Sequence, residues 1–307
     1  MDPDLSSEPS WANPPEGIAI RFVEANGIRF ELAECAPAGS DHGRLALCLH
    51  GFPELAYSWR HQMPMLAARG WRVWAPNMRG YGATSKPAHW RDYAMDHLFD
   101  DVAALVDLAA PRELMLVAHD WGAIVAWMFA IRKVRPLTKL VIMNVPHPAP
   151  ALREARHWHQ LRKSWYIGFF QLPWLPERML LKDDARGIRQ AFVGMALDKS
   201  RFPPEVLDVY ARAAKRPGAM KAMLDYYRAL VRTGALRDIG DGRVDVPTLM
   251  VWGEEDSALD IRTTDGTDQW VSDFELHRLP RVSHWVQQEA PEQVNAILDD
   301  WLNRRDS

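Results

Sequence analysis

Scarcity narrows the field first. Only two cysteines occur in 307 residues, Cys35 and Cys48. A disulfide-stapled scaffold is thereby excluded, and two buried free thiols in a reducing cytoplasm are expected. Charge of one sign is also lacking: 37 Lys and Arg stand against 40 Asp and Glu, a formal balance of -3. Nothing in that balance favours nucleic acid or an anionic membrane as partner. The longest apolar run, Ala123 to Ile131, is far too short to span a bilayer. The N-terminal stretch MDPDLSSEPSWANPPEG has neither the basic start nor the apolar centre of a signal peptide, and residues 1–16 read as a loose arm. No H-E-x-x-H, zinc-ligand spacing, Walker loop or G-x-G-x-x-G is present, so neither metal nor organic cofactor is expected. His157 and His159, which flank Trp158, read as a helix surface. There is also no G-x-S-x-G, the elbow that would carry a nucleophilic serine.

What is present has an alternating rhythm. Ile18 to Val23 and Ile28 to Leu32 alternate apolar and polar residues around Asn26-Gly27, a hairpin signal. Leu45 to Leu49, Trp71 to Ala75, Leu114 to Ala118 and Lys139 to Met143 read as buried strands, with helices predicted over Trp59 to Arg69 and Asp96 to Ala109. From Pro148 to Gly240 strands cease, and amphipathic stretches such as Val206 to Lys215 and Ala219 to Val231 alternate with Pro-rich breaks. The rhythm resumes with strands Pro247 to Trp252 and Phe274 to Leu279, and with helices near Thr264 to Val271 and over Pro291 to Leu302. Such alternation implies a mostly parallel sheet covered on both faces. The expected layout is a core over 1–147, a helical insertion over 148–240 and a second core part over 241–307.

The centre of the pattern is LMLVAHDWGAIVAWMFA, Leu114 to Ala130. A strand passes into a helix through His119-Asp120-Trp121-Gly122, with small residues where the two backbones must approach. Asp120 has two readings, the N-cap of the helix or a nucleophile held up by a sharp elbow. Chain order favours the second, because an elbow nucleophile should be followed by an acid and then a histidine. Asp256 follows one strand in Gly253-Glu254-Glu255-Asp256, and His284 follows the next in Val282-Ser283-His284-Trp285. After the third strand comes His50-Gly51-Phe52-Pro53, where the amide of Phe52 and that of Trp121 would form an oxyanion hole. Phe52-Pro53 is also a candidate cis peptide.

His50-Gly51-Phe52-Pro53-Glu54, Tyr57-Ser58-Trp59-Arg60, Arg79-Gly80-Tyr81-Gly82, His119-Asp120-Trp121-Gly122, Asn144-Val145-Pro146-His147-Pro148 and Ser283-His284-Trp285 together resemble the epoxide hydrolases of the α/β-hydrolase fold. Haloalkane dehalogenases share the Asp-Trp-Gly part. The resemblance implies an α/β-hydrolase fold with about eight strands and a helical cap inserted after strand 6. It implies Asp120, His284 and Asp256 as catalytic residues. Tyr166 and Tyr227 match the paired cap tyrosines, with Tyr226 as the rival of Tyr227. Ala123 departs from the family pattern, where Gly is frequent.

The implied reaction forms an alkyl ester on Asp120, which water activated by His284 then hydrolyses to give a vicinal diol. Phenols suit a strained alkoxide leaving group, since they donate O–H while staying neutral near pH 7. Trp158, Trp165, Phe169, Phe170 and Trp174 crowd the insertion and suggest an apolar or aromatic small-molecule epoxide touching Phe52, Trp121, Trp165 and Phe169. A haloalkane dehalogenase and a catalytically silent small-molecule receptor are the alternatives. A monomer or a homodimer fits equally.

Overall fold

The structure is a computed structural model, described over residues 8–235 and 239–306. Eight strands form one sheet: β1 (Ile18–Ala25), β2 (Ile28–Cys35), β3 (Arg44–Leu49), β4 (Arg72–Pro76), β5 (Glu113–His119), β6 (Lys139–Met143), β7 (Thr248–Gly253) and β8 (Phe274–Leu279). Their order is β1-β2-β4-β3-β5-β6-β7-β8. The β1–β2 and β2–β4 pairings are antiparallel, and the remaining pairings are parallel. The Asn26-Gly27 turn that opens the sheet has φ of 50° and 69°, the left-handed pair a tight hairpin needs.

Period-two alternation sorts each central strand between two cores. Leu45, Leu47 and Leu49 of β3 join one core, while Ala46 and Cys48 join the other. On the Cys48 side lie α1 (Gln62–Ala68), which brings Met63 and Leu66, and the C-terminal helix Pro291–Asn303, which brings Val294, Leu298 and Trp301. The opposite face is covered by α2 (Met95–Ala109), α3 (Asp120–Ile131) and the helices that connect β6 to β7. Those are α4 (Pro148–Glu154), α5 (Trp158–Lys163), α6 (Trp165–Phe169), α7 (Leu175–Val193), α8 (Pro204–Ala214) and α9 (Ala219–Thr233). A break at Lys182–Ala185 interrupts α7, with φ of 50°, 59° and 57° at Asp183, Asp184 and Ala185. No strand interrupts these helices among the described residues. A short α10 (Val286–Glu289) precedes the C-terminal helix, α11.

Two expectations are corrected. The helix expected near Thr264 to Val271 is instead two 3-10 turns, Ile261–Thr264 and Thr267–Gln269. Gly266 between them has a φ of 80°, and the hydroxyls of Thr263, Thr264 and Thr267 donate to the carbonyls of Asp260, Ile261 and Thr264. Local side-chain bonds thus take carbonyls that a helix would use. The described part of the N-terminal arm is not loose either. Trp11 is buried edge-on against Tyr57, with ring centroids 4.9 Å apart. The Ser10 amide and hydroxyl donate to the carboxylate of Glu31, which is buried in β2 and also receives Asn77 and the amide of Ala83.

Candidate active site

Three strand ends meet where the parallel part of the sheet turns over into its helices. β5 passes directly into α3, and Asp120 at the junction takes a φ of 46°. An aspartate tolerates the left-handed region at some cost, and such strain recurs at functional sites. The turn is tight enough that a Cβ on Gly122 would overlap the Leu49 carbonyl, while one on Gly51 would overlap the Asp120 side chain. The Gly122 amide donates to the His50 carbonyl at 3.0 Å, tying the elbow to the end of β3.

Asp120 does not cap its own helix. His119 is the N-cap and makes no side-chain cap. Oδ1 of Asp120 instead accepts the Phe52 amide at 2.6 Å, and Oδ2 lies 3.6 Å from Nε2 of His284. Nδ1 of His284 donates to Oδ2 of Asp256 at 2.7 Å. Asp256 is not a surface acid: it is buried and receives Asn144 at 2.7 Å and the amides of Ala258 and Leu259 at 2.7 and 2.9 Å. Burial opposes ionisation of both carboxylates. The charge and hydrogen bonding of His284 outweigh it, with Asn144 helping at Asp256 and the Phe52 amide at Asp120, so both stay below their ordinary range. Burial likewise opposes the imidazolium, but the charges of Asp256 and Asp120 and their hydrogen bonds raise His284 to about 10. The Phe52-Pro53 peptide is cis. Trp121 follows Asp120, and its amide belongs to the first turn of α3, where no intrahelical acceptor exists.

Sequence reasoning passed over the groups that hold this line in place. His50 donates from Nδ1 to the Gly51 carbonyl at 2.9 Å and accepts the Met78 amide at Nε2 at 3.0 Å. The Gly51 carbonyl and the Phe52 amide belong to one peptide plane, so His50 fixes the donor aimed at Asp120. Burial keeps His50 neutral, lowering it to about 4. On the other side Glu54 receives the Gly51 amide at 3.1 Å, His119 at 2.6 Å, and Gln287 and Gln288 at 2.8 and 2.7 Å. His119 donates onward to the His284 carbonyl at 2.9 Å. The signal was available, since His50, Glu54 and His119 all sit within the quoted motifs.

Two cavities adjoin the carboxylate. One of about 310 Å³ reaches His284, Phe52 and Phe170, and another of about 200 Å³ runs past Trp121, Trp127 and Ile167. Asp120, Tyr166 and Tyr227 line both, and the two phenol rings stand 5.9 Å apart at 84°. Burial, and then the charge of Asp120, hold both phenols neutral well above their usual range. Tyr226 lines neither cavity; it is fully buried and donates to the Arg79 carbonyl at 2.8 Å. Trp165 lines the first cavity from an exposed position. Phe169, expected at the substrate, lines neither, and Phe170 takes that place against Phe52 and Tyr227. Phe169 lies behind it, against Trp165 and Phe170.

Comparison with known proteins shows the family. A family model described as alpha/beta hydrolase fold matches residues 47–291. An AB hydrolase superfamily protein of Bacillus subtilis is 35% identical over 291 residues, covering 94% of this chain and 100% of that protein. Epoxide hydrolase 4 of Homo sapiens is 34% identical over 286 residues, covering 91% of this chain and 77% of the human protein. A crystal structure of a variant epoxide hydrolase from Bacillus megaterium superposes with a TM-score of 0.84 at 27% identity, over 92% of this chain and 100% of that one. Epoxide hydrolase A from Mycobacterium thermoresistibile superposes with a TM-score of 0.79 at 30% identity, over 93% and 98% of the two chains. The chain is a hydrolase and belongs to the α/β-hydrolase fold family, within its epoxide hydrolases.

Proposed function

We propose that this enzyme opens a small apolar epoxide to a vicinal diol through a covalent ester on Asp120. Residues 148–240 act as the cap over a core formed by 1–147 and 241–307. Oδ1 of Asp120 is held by the Phe52 amide, which leaves Oδ2 as the attacking atom. As the Oδ2–carbon bond forms, the ring C–O bond breaks, and its electron pair takes a proton from Tyr166 or Tyr227. Ester formation removes the Asp120 charge, one of the groups that hold His284 protonated. The imidazole therefore passes its proton, by way of water in the cavity, to the tyrosinate left by ring opening, and becomes a free base at the step that requires one. Water then gives a proton to His284 and attacks the ester carbon, and negative charge develops on the Oδ1 already facing Phe52, with the Trp121 amide beside it. Collapse of this intermediate expels the diol oxygen, which takes the proton back from His284, and Asp120, left as the acid, gives its proton to His284 and restores the ion pair.

The observation that carries this reading is the unbroken line from the Phe52 amide through Asp120 and His284 to Asp256, beneath two neutral phenols. A halide leaving group needs no proton, so paired phenols favour the oxirane over a haloalkane. The test is a single turnover in heavy-oxygen water with excess enzyme. Label is expected in the Asp120 carboxylate, and His284→Gln should give a burst of ester without turnover. Unlabelled Asp120, or steady turnover in the variant, would refute the ester route, and halide release without diol would point to the dehalogenase.

A further inference from the structure

The cap carries a surface whose composition is masked by the balance of the whole chain. Ten large apolar side chains are exposed among the described residues, and seven of them fall between Leu152 and Met179. Three are tryptophans, Trp158, Trp165 and Trp174, exposed by 72%, 67% and 66%. Within 152–179 five basic residues (Arg153, Arg156, Arg162, Lys163, Arg178) face two acidic ones, Glu154 and Glu177, so this stretch is +3 in a chain of -3. Both acids are largely covered and already paired, Glu154 with Arg153 and Glu177 with Arg228. Arg156, Arg162 and Arg178 are exposed.

The location matters as much as the content. An outer hollow of about 380 Å³, bordered by His159, Arg162, Lys163, Trp165 and Ser257, shares Lys163, Trp165 and Ser257 with the cavity that reaches Asp120. Arg162, Lys163 and Trp165 of this stretch therefore rim the way in.

Indoles settle where one edge is apolar and the other wet, as at the headgroup level of a bilayer. Arginines beside them are drawn to lipid phosphates, each charge being worth roughly fivefold in partition. We propose that this face of the cap docks on an anionic phospholipid surface. Trp158, Leu161, Trp165 and Trp174 enter the headgroup layer, and Arg156, Arg162 and Arg178 meet the phosphates. The protein lies on the bilayer without crossing it, since no described helix is long and apolar enough to span one. A second copy of the chain is the poorer occupant, because a two-fold interface would set this positive face against itself. Where the site works as proposed above, an apolar epoxide dissolved in the lipid enters through the Trp165 rim without passing through water.

The test is co-sedimentation of the full chain with vesicles of phosphatidylcholine alone and of phosphatidylcholine with one quarter phosphatidylglycerol. Binding is expected to the mixed vesicles, to weaken in high salt, and to fall about 25-fold in Arg156→Gln plus Arg178→Gln. Trp158→Ser plus Trp174→Ser should lower it at least tenfold, roughly, from lost apolar burial. Both double variants should keep wild-type activity on a water-soluble short-chain epoxide, which shows that they fold. Asp120→Asn should bind vesicles like wild type, so the docking result is independent of the chemistry. Equal binding to neutral vesicles, variants that bind like wild type, or no binding at all would overturn the proposal. Self-association lost in the tryptophan variants, without vesicle binding, would assign the face to a second copy and overturn it too.

Discussion

A phenol can protonate a leaving group only if its hydrogen is not committed elsewhere. Tyr226 and Tyr227 are neighbours on α9, and roughly 100° of helical rotation separates their directions. Tyr226 gives its hydrogen to the Arg79 carbonyl beneath the cap, whereas Tyr227 faces Tyr166 across the cavities. Tyr226→Phe should therefore cost about 1 kcal/mol of stability, the net worth of one hydrogen bond, and leave ring opening nearly unchanged. Tyr166→Phe with Tyr227→Phe should lower kcat by about 10² or more while unfolding near the wild-type temperature. Pre-steady-state ester formation and thermal melts separate the two outcomes, and full activity in the double variant would sink the cap reading. The sequence alone left these neighbours open because the choice depends on a backbone carbonyl far away in the chain. Asp120, Asp256 and His284 were legible from chain order, since strand ends in an open α/β sheet share one edge. The roles of His50 and Glu54 went unread although both lie within the quoted motifs, because they orient backbone groups and neighbouring side chains and stand outside the order of nucleophile, acid and histidine.

Strands were easier to foresee than the turns that hold Asp120, Asp256 and His284. A parallel strand buried on both faces must be a near-continuous apolar run, and Lys139–Met143 begins and ends where expected; the edge strand Phe274–Leu279, half-exposed, also keeps its expected bounds. The stretch after Asp260 misled because the alternating rhythm calls for a helix between two parallel strands, while the threonine hydroxyls and Gly266 divert its carbonyls. The decisive local constraints are glycines against neighbouring atoms, and they can be tested as a pair. Gly51→Ala would push a methyl into the Asp120 side chain, and overpacking of this kind costs about 1–3 kcal/mol. Its larger effect should be on rate, because the Phe52 amide moves with Gly51, and a misplacement of about 1 Å can cost about 10²-fold. Gly168→Ala, on exposed α6 with open space around its Cβ position, should be neutral or stabilise by about 0.4–1 kcal/mol. Activity and melting temperature of both variants check the contrast; equal activity losses would show that glycine at the elbow is not special.

The whole molecule carries its buried histidines in opposite states, and this sets its stability against pH. His50 and His147 are fully buried and neutral, lowered to about 4 by burial. An unfolded histidine binds its proton near pH 6.5, so between pH 6.5 and 4 the unfolded chain takes up protons that these two sites refuse. Stability falls with pH across that window. His284 acts with the opposite sign. Its pKa is raised to about 10, so its contribution is complete below about pH 6.5 and is lost as pH rises toward 10. Lys86, lowered to about 8 mainly by burial, gains stability with pH above its own pKa and would blur the upper part of that limb. The clean interval is therefore pH 6.5 to 8, where one proton contributes a slope of about 1.4 kcal/mol per pH unit. Urea unfolding should find maximal stability near pH 6.5 and a loss of about 2 kcal/mol by pH 8. In His284→Gln the alkaline limb should flatten while the acid limb persists, because His50 and His147 remain. An alkaline limb unchanged in that variant would mean His284 is not held as the imidazolium between Asp120 and Asp256. The same result would remove the reason for its release as a base once Asp120 is esterified.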